Sequence, residues 1–111
     1  MRFLTLKIML CLLLSLIISR IEANTNNYSI SGRISDERTG SPLPGASILI
    51  KGTYLWAVSD QKGEFTIQGI QEGKYQLEVS FLGYVPATVP VNVNNSIKGL
   101  KIQLKENTLA L

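Results

Sequence analysis

Tyr75-Gln76-Leu77-Glu78-Val79-Ser80-Phe81 decides the fold of this chain. Apolar side chains at 75, 77, 79 and 81 alternate with polar ones at 76, 78 and 80. One face suits a core and the other suits water, which is the period-two signature of a β-strand. The same alternation recurs in both directions along the sequence. Upstream, Phe65 and Ile67 oppose Glu64, Thr66 and Gln68, and Ala46, Ile48 and Ile50 form a further apolar row. Tyr28, Ile30 and Ile34 oppose Ser29, Ser31 and Arg33, with Gly32 interrupting the row where another backbone is expected to approach. Downstream, Val85, Ala87, Val89, Val91 and Val93 make one row, and Leu100, Ile102 and Leu104 oppose Lys101, Gln103 and Lys105. A less regular strand between Gly52 and Ser59, containing Tyr54, Trp56 and Val58, brings the count to seven.

Turn-forming residues separate these rows. Asp36-Glu37-Arg38-Thr39-Gly40, Gln71-Glu72-Gly73-Lys74 and Asn94-Asn95-Ser96 read as turns, and Pro42-Leu43-Pro44-Gly45 as an extended connector. Asp60-Gln61-Lys62-Gly63 reads as a tight turn, with Asp bonding its own backbone and Gly taking a positive φ. Pro90 lacks a ladder donor, so residues 87–93 are expected at a sheet edge or at a bulge. Short strands at this spacing, each with one apolar face, imply two packed sheets or a barrel.

The first 23 residues differ from the rest. Arg2 and Lys7 precede an apolar run from Ile8 to Ile18, and Ile21-Glu22-Ala23 offers a small residue for cleavage, the layout of a secretory signal. The run is too short for the ~20 residues of a membrane-spanning helix. Cys11, the only cysteine, follows Leu10, which is too large for lipoprotein processing. The expected organisation is therefore a signal peptide over 1–23, a polar lead-in over 24–27, a β domain over 28–104 and a tail over 105–111. The segment 1–23 holds three basic residues and one acidic one, and so carries +2 of the chain's +3. What remains is close to neutral, which argues against nucleic-acid binding. Arg33, Asp36, Glu37 and Arg38 alternate in sign and read as a solvated surface. There is no histidine, so the commonest general base and metal ligand is missing.

Taken in order, Ile30-Ser31-Gly32-Arg33-Ile34-Ser35-Asp36, Thr39-Gly40-Ser41-Pro42-Leu43-Pro44-Gly45-Ala46, Lys51-Gly52-Thr53, Asp60-Gln61-Lys62-Gly63-Glu64-Phe65 and Gly73-Lys74-Tyr75 through Gly83-Tyr84 resemble the carboxypeptidase-regulatory-like domain. The resemblance covers about residues 28–104. It implies an all-β, seven-stranded antiparallel or mixed β-sandwich of prealbumin type, preceded here by a signal-peptide helix. It further implies a place near the start of a TonB-dependent outer-membrane transporter, in the periplasm of a Gram-negative bacterium. The partner would be a transporter plug and barrel or a periplasmic protein, and the membrane would be met only through that larger assembly. One departure is local: the family usually carries small residues or Asn-Gly near Leu55-Trp56-Ala57.

No zinc-ligand set or catalytic triad can be assembled from this composition, so neither an enzyme nor a cofactor is expected. Asp60 and Glu64 flank one turn, and their reading is turn chemistry and solvent exposure, not metal binding. Exposed aromatics can stack on sugars, and Tyr54, Trp56 and Tyr84 are the candidates. Tyr54, Trp56 and Val58 share parity, which favours Trp56 as a core residue, and Tyr84 is expected to pack against the sandwich end. An exposed sheet edge can also accept a partner strand. The leading expectation is a non-catalytic accessory domain of TonB-dependent uptake. The alternative is a free-standing secreted sandwich that binds a carbohydrate or a protein.

Overall fold

Each alternating row becomes a strand because only extended backbone puts all its apolar side chains on one face. The computed structural model describes residues 2–18 and 27–108. A helix α1 (Arg2–Ile18) is followed by β1 (Tyr28–Asp36), β2 (Ser47–Ile50), β3 (Trp56–Val58), β4 (Glu64–Ile70), β5 (Gly73–Ser80), β6 (Ala87–Val93) and β7 (Ile97–Leu104). The strands form two sheets, in the orders β4-β1-β7 and β3-β2-β5-β6. The second sheet is antiparallel throughout. In the first, β1 pairs antiparallel with β4 and parallel with β7. The architecture is thus the mixed seven-stranded sandwich expected.

The inner faces supply the core. Ile30, Ile34, Phe65, Ile67, Ile102 and Leu104 come from one sheet, and Ile48, Ile50, Leu77, Val79 and Val93 from the other, all buried. Each such side chain contributes about 1.5–3 kcal/mol of transfer free energy. Tyr75, Phe81, Val89 and Val91 close the margins as half-buried residues. Val85 departs from its expected row: it lies between strands and is exposed.

Gly32 sits at the centre of the three-stranded sheet, paired with Leu100. A Cβ there would overlap the Leu100 carbonyl oxygen, so the gap in the β1 apolar row is where the β7 backbone passes. Pro90 lies in β6, the last strand of the four-stranded sheet, as a residue without an N–H requires. The β3–β4 turn closes on Asp60: its Oδ1 accepts from the backbone N–H groups of Lys62 and Glu64, each at 2.9 Å. Gly63 in that turn has φ +75°, and Glu64 is exposed.

The helix α1 presents exposed side chains over residues 2–14. No described helix is long and apolar enough to cross a membrane. The expected cleavage point at Ala23 and the last three residues of the tail lie outside the described residues.

Gly32→Ala is expected to destabilise the sandwich by about 1–3 kcal/mol, the usual range for forcing atoms into filled space. The exposed substitution Thr66→Ala on neighbouring β4 should stay within about 0.5 kcal/mol. Urea unfolding of both variants checks this, and equal midpoints would contradict the close β1–β7 approach.

Candidate functional site

The three aromatic candidates do not form one site. Trp56 stands on the outer face of the four-stranded sheet, 65% exposed, and Tyr54, in the loop between β2 and β3, is 99% exposed. The core assignment for Trp56 is therefore corrected. In the β2–β3 hairpin it is Leu55 and Ala57 that turn inward and pack on the core, while Tyr54, Trp56 and Val58 point to water. The hairpin register fixes this: Ile50 N–H donates to the Leu55 carbonyl, and Leu49 pairs with Trp56. Because Ile50 is buried, its chain neighbours Leu49 and Lys51 face outward.

The outer face can be laid out from the strand pairings. Trp56 neighbours Leu49, Leu49 neighbours Glu78, and Glu78 neighbours Thr88. One row along, Lys51 N–H donates to the Gln76 carbonyl, and Gln76 pairs with Pro90. On the other side Val58 pairs with Ser47 and Ser47 with Ser80, whose hydroxyls share a 2.7 Å hydrogen bond. All of these side chains are exposed. A shallow depression of about 540 Å³ opens on this face against Lys51, Lys74, Gln76, Pro90 and Asn92.

Tyr84 lies past the far end of β5 and is committed to structure. Its hydroxyl donates to Asp36 Oδ2 at 2.6 Å, and its ring meets Phe81 at a centroid distance of 5.6 Å. This bears out the expected packing at the sandwich end and leaves no stacking face in common with Trp56. The same segment holds the tail. Tyr84 bridges Glu106, Val85 N–H donates to the Lys105 carbonyl at 2.8 Å, and Asn107 N–H donates to the Gly83 carbonyl at 2.9 Å.

Asp36 and Ser59 take structural roles. Asp36, expected on a solvated surface, is buried at the end of β1. Its Oδ1 accepts from the N–H groups of Arg38 and Thr39 while Oδ2 accepts from Tyr84. The Tyr84 hydroxyl and the backbone N–H groups hold the Asp36 carboxyl down to about 2. Donation to Asp36 in turn raises Tyr84 above its ordinary value. Ser59 is buried as well: its Oγ donates to the Leu43 carbonyl at 2.6 Å and accepts from Ala46 N–H at 2.8 Å. It pins the proline-rich connector to the hairpin. Among the described residues, no group of three or more His, Cys, Asp or Glu is placed to hold a metal ion, and every buried side-chain polar atom has a partner.

Residues 30–111 match the sequence profile of the CarboxypepD_reg-like domain. Over 104 residues the chain is 30% identical to TonB-dependent receptor P3 of Formosa agariphila, covering 94% of this chain and 10% of the receptor. It is likewise 30% identical over 102 residues to TonB-dependent receptor SusC of Bacteroides thetaiotaomicron, covering 92% of this chain and 9% of the receptor. The chain thus spans about a tenth of the length of these relatives. Among solved structures, a chain of a type II cohesin–X-dockerin complex from Acetivibrio cellulolyticus superposes with a TM-score of 0.64 at 25% identity, over 76% of this chain and 61% of that one.

The Asp36–Tyr84 contact predicts a pH signature. A depressed carboxyl pKa stabilises the fold above the unfolded value near 3.8, and that stability is lost as pH falls toward 2. A raised phenol pKa stabilises below the unfolded value near 10 and is lost at higher pH. The melting temperature of the native chain should therefore exceed that of Tyr84→Phe by a constant margin between roughly pH 5 and 9. The margin should shrink on both sides. Thermal melts of the two proteins from pH 2 to 11 measure it, and a margin that ignores pH would exclude the charged hydrogen bond as its source.

Proposed function

The chain belongs to the CarboxypepD_reg-like domain family, and from that membership we propose that it serves as a non-catalytic accessory domain of a TonB-dependent outer-membrane receptor, held on the periplasmic side. The observation that carries this reading is the match of more than nine-tenths of the chain to two TonB-dependent receptors about ten times its length. The geometry agrees with a domain set in line within a longer assembly. Because β1 and β7 are parallel, the chain enters the sandwich at one end and leaves at the other. The departing residues 105–107 are then tied to residues 83–85. Residues 1–23 would serve as the export signal, with α1 as its apolar helix.

The residues present supply positions and surfaces, not a reaction. Asp36, Asp60 and Ser59 spend their polar atoms on backbone N–H and C=O groups and on Tyr84. A free-standing sandwich that binds a carbohydrate or a protein is the second reading, favoured by the exposure of Tyr54 and Trp56.

Fractionation of the source cells with an antibody to residues 28–104 separates the two. Recovery in the outer membrane, with a β-barrel receptor continuous with the domain or co-purifying with it, is the expected result. Recovery only from the soluble periplasm, with no barrel attached, would overturn the receptor assignment in favour of the free-standing domain.

A further inference from the structure

We infer that the sandwich is a load-bearing link: tension applied along the chain, at the entry to β1 and the exit from β7, is borne in shear by the β1–β7 ladder, and the domain stays folded while it passes that tension on. The inference rests on the reading of the chain as a domain set in line within a longer assembly, and adds what the domain does there.

The first argument is direction. β1 and β7 run parallel and side by side, from Ile30 with Ile97 to Asp36 with Leu104. A pull on the residues before Tyr28 drags β1 back toward its start. A pull on the residues after Leu104 drags β7 onward past its end. The two strands are drawn in opposite senses along their common axis, so the evenly spaced bonds of the parallel ladder are loaded together. The start of β1 and the end of β4 instead lie together at one end of an antiparallel pair, where Tyr28 stands opposite Ile70. Loaded there, the bonds open one after another. A single bond contributes little net stability, so opening them singly is easy and opening them at once is not.

The second argument is the path the load must take. Among the described residues β7 has β1 as its only strand neighbour, so tension arriving in β7 crosses to the rest of its sheet through this ladder. β1 is anchored in turn along its other flank. Ile34 N–H donates to the Gly63 carbonyl at 2.8 Å, the Ile34 carbonyl accepts from Leu43 N–H at 3.0 Å, and Asp36 N–H donates to the Ser41 carbonyl at 2.8 Å. The tail adds a second path, from residues 105–107 to residues 83–85 and through the Tyr84 hydroxyl to Asp36 at the end of β1.

The third argument is the protection of the ladder. Five consecutive pairs, from Gly32 with Leu100 to Asp36 with Leu104, run without a register shift, and Glu37 N–H extends them by donating to the Leu104 carbonyl at 2.9 Å. Ile34, Ser35, Asp36, Ile102 and Leu104 in this run are buried. A hydrogen bond in such surroundings is stronger than one in water, and burial keeps solvent from replacing it as it stretches. Gly32 sets how closely the two backbones run, since a Cβ there would overlap the Leu100 carbonyl oxygen.

Single-molecule pulling on the full chain tests the inference, with Cys11→Ser removing the native thiol and introduced thiols serving as attachment points. Asn27→Cys with Thr108→Cys loads the β1–β7 ladder in shear. Asn27→Cys with Gln71→Cys loads the same fold at one end of the β1–β4 pair, where it peels. Forced unfolding reads the unfolding rate, and at equal force the sheared chain should survive at least about tenfold longer than the peeled one and release all seven strands in one step. Gly32→Ala should shorten the shear lifetime at least about tenfold, because its contacts are the ones that break. Val79→Ala truncates the buried core on the other sheet. It should lower the melting temperature yet leave the shear lifetime within about twofold, because its contacts are still in place when the ladder breaks. Equal lifetimes in the two geometries overturn the inference, as does release of β7 at low force with the other strands still folded. A shear lifetime that simply follows melting temperature across both variants also overturns it, since general stability would then set the resistance. Circular dichroism spectra establish that each variant is folded before it is pulled, and if Gly32→Ala does not fold, the two geometries decide by themselves. The pulling is done on the chain alone, so it can fail with the receptor assignment intact, and the cell fractionation can fail with the ladder intact.

Discussion

The parallel pairing of β1 with β7 is the constraint on which the rest of the structure depends. Parallel neighbours cannot be joined by a tight hairpin. Here the crossover between them is nearly the whole domain, and the other five strands must be threaded between the two partners. The pairing runs from Ile30 with Ile97 to Asp36 with Leu104, so the first and last strands of the sandwich lie side by side. Gly32 makes the close approach to Leu100 possible. Loss of that pairing would leave β7 without its only partner in the three-stranded sheet and would uncover Ile34, Ile102 and Leu104 together.

Three polar locks then fix what the core alone leaves free, since apolar burial is non-directional. Asp60 closes the turn into β4, Ser59 holds the Pro42–Pro44 connector, and Asp36 with Tyr84 joins the end of β1 to the segment that carries the tail. Each spends its hydrogen bonds inside the fold. The sandwich therefore uses the polar atoms of Asp36, Ser59 and Asp60 for shape.

Much of this was legible in the sequence. The strands could be read because each has one wet face, so apolar and polar residues alternate cleanly, as over 75–80. Gly32, Pro90 and the Asp60 turn could be read because each answers a local backbone demand. The face of Trp56 could not. Tyr54, Trp56 and Val58 outrank Leu55 and Ala57 in bulk, and bulk suggests the core, but the register set by Ile50 turns the smaller pair inward. Asp36 was hidden for another reason: its partner Tyr84 is 48 residues away, and no local pattern links them. Tyr84 itself was placed at the sandwich end through the family signature, whereas its hydrogen bond became visible only with the fold.

The central structural claim is that the paired terminal strands and the tied tail form one rigid unit with its entry and exit at opposite ends. Native-state hydrogen exchange followed residue by residue tests it directly. The account predicts that the amides of Val85 and Asn107 are protected together with those of Ile102 and Leu104 in β7, and that Tyr84→Phe releases the first pair while the second stays slow. Rapid exchange at Val85 and Asn107 in the native chain, with the β5 amides fully protected, would contradict it and leave the tail untied from the sandwich.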